Sequence, residues 1–273
     1  MMKTILWTTV SLATLALAGA ASAQEWSGPW IGAHAGYIDR SDTDDEGVTF
    51  DTNLDGTFGD TVRTAAGADA FSPGFCGGFP VGNAAAAGCR ADDESGGEFG
   101  LRLGYDWQVG PFVVGALAEV SRTQIEDSVT AFSTTPAAYT FTRELHALGA
   151  VRARGGYAFG GNLLYATGGY ARGDFKRRFY TTNTANTFPV SGGDDPEGWQ
   201  AGLGFDRKLT PDVTLGVEWL YTKLDDEGYV ARAAGPVPAT NPFVIVNGQG
   251  TDLRRTEDDF EFHSFRITTS YRF

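Results

Sequence analysis

Several residue types are scarce in this sequence, and each shortage excludes a class of protein. Only 21 of the 273 residues are lysine or arginine, against 34 aspartate or glutamate residues, so the formal net charge is −13. A chain this acidic does not bind nucleic acid by neutralising phosphates, which excludes nucleic acid as a partner. After residue 23, no apolar run approaches the ~18–20 residues that a transmembrane helix needs. The sequence therefore predicts no transmembrane helix beyond that point.

The residues that are abundant point to an exported all-β protein. Glycine accounts for 37 of the 273 residues, which is nearly twice the usual share of ~7%. Hydrophobic residues make up 42% of the chain and aromatic residues 13%, so the chain is too apolar to be disordered. Helix-forming residues do not occur in long runs.

The N-terminus has the three parts of a secretory signal peptide. A basic start at Lys3 precedes an apolar run from Ile5 to Ala18, and Ala21-Ser22-Ala23 has the small-x-small form of a cleavage site. An N-terminal membrane anchor is the alternative, but the apolar run is short for a span. We expect a signal peptide over residues 1–23 and a mature chain over residues 24–273.

Apolar and polar residues alternate with a period of two in the C-terminal segment. From position 263 onward the odd-numbered residues are mostly apolar or aromatic and the even-numbered ones are polar, which indicates a β-strand between two different solvents. Eight segments share this pattern, at about 28–38, 97–107, 111–122, 144–158, 162–175, 197–208, 212–224 and 259–273.

The connections between these segments are alternately short and long. Tight turns are expected near residues 108–110, 159–161 and 209–211, whereas 39–96, 123–143, 176–196 and 225–258 are long. Short turns on one side and long loops on the other are typical of outer-membrane barrels. The sequence therefore predicts an all-β fold, an eight-stranded antiparallel up-and-down transmembrane β-barrel with short periplasmic turns and long extracellular loops.

Charged residues on the polar side of the strands are expected in the barrel lumen. Because an eight-stranded barrel is narrow, its interior side chains nearly fill it, and isolated charges there would be costly. Both signs are present, so we expect a paired network that plugs the barrel; a ring of charges lining a pore is the alternative. The predicted members are Arg102, Asp106, Glu119, Arg152, Arg154, Arg172, Asp174, Glu218 and Arg266.

With the strands in place, the chain resembles a known family. The matching stretches are residues 26–37, 149–157, 198–205, 217–224 and 265–273. They are similar to the small outer-membrane β-barrel proteins of alphaproteobacteria, the outer-membrane immunogenic protein or porin family, with the architecture of the OmpA membrane domain. The resemblance implies location in the cell outer membrane and a C-terminal signal at Tyr271 and Phe273 that is recognised by the barrel-assembly machinery. The first loop, 39–96, is longer than the family leads us to expect.

The long first loop contains two candidate sites. Cys76 and Cys89 lie in one irregular segment of an exported chain, so we expect a disulfide between them that stabilises the loop by about 3 kcal/mol. Asp51, Asn53 and Asp55, followed by Gly56, match the first half of a calcium loop, but its twelfth position is Val62 where a glutamate is needed. The other interpretations of this acidic loop are a solvated, self-repelling surface and a surface on which divalent cations bridge to lipopolysaccharide.

Three functions follow from these predictions. The first is a structural and surface-interaction role in the cell envelope, in contact with outer-membrane lipid and lipopolysaccharide and with an unknown surface ligand. The second is a small porin-type channel. The third, an enzyme acting on outer-membrane lipid, is disfavoured because the adjacent His263 and Ser264 point to opposite faces of a strand. No cofactor is expected.

Overall fold

A computed structural model describes residues 25–40, 46–90, 95–226 and 228–273. The expected signal peptide, residues 1–23, lies outside these residues. No helix that the described residues form is long and apolar enough to cross a membrane. A 3-10 turn lies at Ala85–Ala87. The strands are β1 Gly28–Asp39, β2 Val48–Asp51, β3 Gly74–Gly77, β4 Phe79–Pro80, β5 Cys89–Arg90, β6 Gly96–Val109, β7 Phe112–Ser133, β8 Ala137–Phe159, β9 Asn162–Thr181, β10 Val190–Ser191, β11 Glu197–Lys208, β12 Val213–Asp225, β13 Val230–Ala233, β14 Thr251–Arg255 and β15 Asp259–Arg272.

Eight long strands close into a barrel in which every neighbouring pair is antiparallel. The order around the ring is β1, β6, β7, β8, β9, β11, β12 and β15. The ring closes because β1 pairs with β6 on one edge and with β15 on the other, so that Ala33 lies between Leu101 and Thr269. Because the sheet is closed, no strand edge is left with unpaired backbone N–H and C=O groups, for which lipid offers no hydrogen-bond partners. The predicted eight-stranded antiparallel barrel is confirmed.

The alternating pattern of the strands separates a lipid-facing surface from a filled lumen. On β6, Leu101 and Leu103 are exposed on the outside of the barrel, whereas Arg102 between them is buried. On β15, Ile267 is exposed and Arg266 is buried. Apolar side chains are stable against lipid, and the polar side chains find partners only across the lumen.

Three strands continue well beyond their predicted ends on the extracellular side. The segment 123–143 was expected to be a loop, but it forms the outer halves of β7 and β8, joined by a turn at residues 134–136. β9 likewise continues to Thr181. In β7 and β8 the alternation is hard to recognise there because both faces of the extended strands are covered. In β8 the inward positions also change from even to odd numbers at a register shift between Leu145 and Ala147. On β9 the even-numbered side chains beyond residue 175 remain exposed.

The described parts of the long connections fold onto these extensions and form a cap. A second sheet, in the order β10, β13, β14, β2, lies over the extended strands. The first loop is only partly a solvated surface: Asp55 and Asp69 are exposed, whereas β2 and the segment after it contribute buried apolar side chains to a core. The cap core consists of Val48, Phe50, Val62, Ala70, Phe71, Val129, Ala131, Ala137, Tyr139, Phe141, Ala231, Ala233, Phe243 and Leu253.

The expected disulfide joins Cys76 to Cys89 and holds part of the first loop against the barrel wall. β3, which contains Cys76, pairs with the outer half of β7. The Thr130 hydroxyl of β7 donates a 2.8 Å hydrogen bond to the Gly78 carbonyl oxygen. The disulfide-closed segment therefore covers the outward face of β7 above the membrane.

Candidate functional site

Inward side chains are stacked in layers along the barrel axis. Along β7, from the periplasmic end outward, they include Val113, Glu119, Ile125, Asp127 and Val129, all of which are buried. Apolar and charged levels thus alternate from the periplasmic end to the cap core. Each level is completed by side chains from strands on the opposite side of the ring.

The central charge layer consists of three arginines and three glutamates, so its formal charges balance. Arg266 contacts both Glu98, at 2.6 and 2.7 Å, and Glu119, at 2.7 Å. The other members continue the network through Glu119 and Glu218. Arg152 Nη2 lies 2.5 Å from Glu119 and 3.2 Å from Glu218, and Arg102 Nη1 lies 3.6 Å from Glu218. The Nε and Nη1 atoms of Arg102 and Arg152 have no hydrogen-bond partner among the described residues, so the cost of burial is offset here mainly by the balance of opposite charges.

A second set of charged residues, the periplasmic charge layer, lies near the short turns. It comprises Asp106, Arg154, Asp206 and Arg272. Arg154 Nε donates a 2.8 Å hydrogen bond to Asp106, and Arg272 Nη2 donates one of 2.7 Å to the same carboxylate. Arg154 Nη1 lies 3.3 Å from Asp206. Beside this layer the side chains of Trp26, Val113, Leu163 and Tyr165 pack together, and the Tyr165 hydroxyl donates a 3.0 Å hydrogen bond to Glu218 of the central charge layer.

Two predicted members of the lumen network lie elsewhere, which corrects the sequence analysis. The Arg172 side chain is 54% exposed and pairs with Asp195 at 3.4 Å and Glu197 at 3.5 Å. Asp174 is also exposed. On β9 the odd-numbered side chains, such as Tyr165, face inward. The even-numbered charges therefore face outward, near the extracellular end of the strand, where charge on the outer surface costs little.

Above the central charge layer, buried apolar side chains form a further layer, and sequence reasoning did not predict it. A signal for it exists in β15, where the even-numbered, inward positions change from polar residues to Phe260 and Phe262. The two rings pack at 5.8 Å, and Phe175 from β9 contacts Phe260 at 4.9 Å. The full layer is Ile38, Ile125, Leu145, Leu148, Ala150, Ala171, Phe175, Leu224, Phe260 and Phe262.

An outer charge layer joins the barrel to the cap and was also missed. At its centre is Asp127, which contacts Arg40 at 2.6 Å, Arg143 at 2.7 Å and Arg255 at 2.6 Å. Burial alone would raise the pKa of Asp127, but the three guanidinium groups outweigh it and hold that pKa well below its ordinary value. These residues lie far apart in the sequence, so no local motif could have grouped them.

The calcium candidate forms a turn made by its own side chains. Asp51 accepts hydrogen bonds from the backbone amides of Leu54, at 2.7 Å, and Gly56, at 2.8 Å. Asn53 accepts one from the Asp55 amide at 2.8 Å. Within the residues that the structure describes, no three His, Cys, Asp or Glu side chains converge as metal ligands.

The remaining predicted residues lie on the outer surface of β15 or next to it. His263 stacks on Trp219, with ring centroids 5.7 Å apart, while Ser264 is fully buried on the lumen side. The two side chains cannot act together. At the end of the chain Tyr271 and Phe273 are exposed and pack edge to face at 5.2 Å. This places an aromatic pair at the periplasmic rim.

A family model described as the outer membrane protein beta-barrel domain matches residues 8–273. The 31 kDa outer-membrane immunogenic proteins of Brucella melitensis and Brucella suis are each 28% identical over 176 residues, which is 64% of this chain and 65% of theirs. The match therefore spans somewhat less than two thirds of the relatives' length.

Among solved structures, the outer membrane protein OprG from Pseudomonas aeruginosa covers 90% of this chain and 96% of its own, at 15% identity and a TM-score of 0.49. The outer membrane protease OmpT from Escherichia coli covers 89% and 97%, at 11% identity and a TM-score of 0.41. These two likenesses concern the fold alone. From the match over nearly its whole length, the chain belongs to the outer membrane protein β-barrel domain family and is a protein of the cell outer membrane.

Proposed function

We propose that this protein is a closed outer-membrane barrel whose function lies in its extracellular cap, with a structural and surface-interaction role in the cell envelope. The observation that carries this proposal is the filling of the lumen. Two balanced charge layers, the apolar layer and the outer charge layer follow one another along the axis, and their members are almost wholly buried.

The energetics of the central charge layer favour a plug over a pore. Breaking a buried ion pair by removing one partner costs about 3–5 kcal/mol. An ion passing through would have to separate several such pairs and then cross the apolar layer, which offers it no ligands. Phe260, Phe262 and Leu224 occupy that level and are fully buried.

The folded cap supports the surface-interaction part of the proposal. A binding surface that is ordered before contact avoids the entropic cost of ordering loops on binding. Here the cap has its own apolar core and a four-stranded sheet. The outward face of the barrel would contact outer-membrane lipid and lipopolysaccharide, and the terminal pair Tyr271 and Phe273 would be the signal read by the barrel-assembly machinery.

Planar-bilayer recordings test the closed lumen. We expect the purified barrel to give no steady current steps. Ion-selective steps that vanish in Glu119→Ala or Arg152→Ala would contradict the proposal and establish the channel function. Arg172→Ala is the matched control, since it removes a charge outside the lumen and should leave any current unchanged.

Binding of outer-membrane vesicles tests the role of the cap. Vesicles that contain the native protein are compared, on purified lipopolysaccharide and on cell surfaces, with vesicles that contain Phe243→Asp. This variant places a charge in the cap core but leaves the barrel layers intact. We expect weaker binding of the variant vesicles; equal binding at equal protein content would remove the cap from the proposed function.

A further inference from the structure

A groove opens in the outer wall of the barrel where β7 and β8 change register. Arg122 pairs with Ala147 and Ile125 pairs with Leu145, so two residues of β7 stand opposite the single residue His146 of β8. A bulge of this kind bends the strand and changes the direction of the side chains beside it. The groove next to the bulge has a volume of about 830 Å³.

The lining of this groove comes from four neighbouring strands. Ala35 of β1 and Gly97 of β6 line it with little or no side chain, which leaves the wall concave there. Arg122 and Gln124 of β7 and His146 of β8 stand around them. The side chains of Arg122 and Gln124 are exposed, and that of His146 is partly buried. The groove is therefore open to the outside of the barrel and has a polar rim.

The groove lies at the level of the outer-leaflet headgroups. On β7 the outward positions from Phe112 to Val120 are apolar, and Arg122 is the first charged one after them. The ten-residue step from Phe112 to Arg122 rises about 25 Å in a strand tilted by ~40°, and the apolar band of such barrels has that height. A lipid whose headgroup is bound here would have its hydrocarbon chains beside the exposed Phe99 and Val120.

Arg122 carries a positive charge that no described residue neutralises. Its side chain makes no hydrogen bond or ion pair with the part of the chain that the structure describes, and its cross-strand neighbours are Phe99 and Ala147. By contrast, the outward-facing Arg172 and Lys223 each contact two carboxylates. In a chain with 34 acidic residues against 21 basic ones, Arg122 is thus a cation left free to bind an external anion.

Two further hydrogen-bonding groups border the same space. Gln124 contributes a side-chain amide. The Nε2 atom of His146 lies 3.5 Å from Glu144 but makes no hydrogen bond to any described residue. Glu98, which also borders the groove, is buried and its carboxylate is held by Arg266 in the lumen, so it does not oppose an anion outside.

We propose that this groove binds the phosphate of an outer-leaflet lipid headgroup, with Arg122 as the main contact. The inference names a lipid site on the outer wall and rests on the proposed function, in which that wall contacts outer-membrane lipid and lipopolysaccharide. A guanidinium group binds phosphate through two parallel charge-assisted hydrogen bonds, whereas a neutral headgroup would leave the charge of Arg122 without a partner. A volume of about 830 Å³ admits a whole phosphorylated headgroup. The apolar wall that continues below the groove favours a lipid over a soluble phosphate.

The test is native mass spectrometry of the full chain, released from a neutral detergent such as tetraethylene glycol monooctyl ether. The probes are lipid A that carries two phosphates, the same lipid A after enzymatic removal of both phosphates, and inorganic phosphate. We expect one tightly bound phosphorylated lipid per barrel and at least tenfold weaker binding of the dephosphorylated lipid.

Two variants locate the binding, and a third is their control. Arg122→Gln removes the charge, and Gly97→Leu fills the groove. A Cβ at Gly97 would have its nearest heavy atom, the Gly36 carbonyl oxygen, 4.0 Å away, so the backbone need not move. Each variant should weaken binding of the phosphorylated lipid at least tenfold. Arg172→Gln removes an outward arginine that is already ion-paired and should bind as the native protein does.

Heat-modifiable migration in electrophoresis confirms that each variant has a folded barrel. Three results would overturn the inference: equal binding of the two lipids, unchanged binding by Arg122→Gln or Gly97→Leu, or inorganic phosphate bound as tightly as the lipid. An equal loss in Arg172→Gln and Arg122→Gln would also overturn it, since it would show general attraction by charge. If the phosphorylated lipid is not preferred while bilayer recordings stay silent, the lipid site fails and the closed barrel stands. Selective currents would instead remove the proposed function itself.

Discussion

Arg266 donates two parallel hydrogen bonds to Glu98 inside the barrel lumen, Nε to Oε1 at 2.6 Å and Nη2 to Oε2 at 2.7 Å. Neither side chain is more than 1% exposed. The two residues belong to β15 and β6, which are separated by β1 in the ring. A bidentate guanidinium–carboxylate pair is among the strongest polar contacts in proteins, and here it connects the two strands that flank the N-terminal strand.

The first prediction concerns this pair. Arg266→Met or Glu98→Gln alone should lower the free energy of unfolding by about 3–5 kcal/mol, because each leaves a buried charge without its main partner. In the double variant, the free energy of unfolding should fall by clearly less than the sum of the two single decreases. Equilibrium unfolding in urea, followed by tryptophan fluorescence in lipid vesicles, measures all three values. Strictly additive losses would show that the two side chains are not coupled.

The second prediction separates the lumen from the outer surface. Arg152→Ala should destabilise the barrel by about 3–5 kcal/mol, since Glu119 and Glu218 would remain buried. Arg172→Ala should change stability by about 0–1 kcal/mol, because its partners are exposed. The two variants are compared in the same unfolding assay. Similar losses for both would contradict the outward placement of Arg172.

The third prediction is a pH dependence centred on Asp127 in the outer charge layer. Because its folded pKa is held below the unfolded value of about 3.9, this carboxylate stabilises the fold above that pH. The contribution is lost as the pH falls through the folded pKa. The melting temperature of Asp127→Asn should therefore lie well below that of the native protein at neutral pH, and the gap should narrow as the solution is acidified below about pH 4.

Asp195→Asn is the control for this titration, since that carboxylate is 44% exposed in its pair with Arg172. Its melting temperature should follow that of the native protein at every pH. A gap between native protein and Asp127→Asn that stays constant down to about pH 2 would show that the outer charge layer does not depend on this carboxylate.

The fourth prediction concerns the aromatic end of the chain. Phe273 is exposed at the periplasmic rim and packs on Tyr271. Phe273→Asp should reduce the amount of folded barrel in the outer membrane, because it removes the proposed assembly signal and places a charge at the lipid interface. The measurement is the heat-modifiable form in outer-membrane fractions. Val246→Asp, a charge on an exposed cap position, is the control, and full membrane levels of Phe273→Asp would count against the signal.

Most of the barrel could be predicted from the alternation of apolar and polar residues along each strand. In β6, Arg102 and Asp106 could be placed in the lumen because Leu101, Leu103 and Tyr105 alternate with them without interruption. A period-two pattern decides which face a residue shares with its neighbours. It does not decide which residues meet across the lumen, since that depends on the stagger of all the strands.

The sequence by itself thus determined the number of membrane strands, their direction, the sides of the short and long connections and most of the inward charges. Only the tertiary structure decided that Arg172 faces outward, that β7 and β8 continue into the cap, and that Asp127 is held by three arginines. Each depends on long-range packing. Covering both faces of β7 and β8 beyond the membrane removes the contrast on which the pattern depends, and in β8 the inward positions also change from even to odd numbers at a register shift. On β9 the odd-numbered side chains fill the lumen, so the charged even-numbered ones face outward. The groove beside Arg122 also depends on tertiary structure, because the bulge brings residues of β7 and β8 next to small residues of β1 and β6.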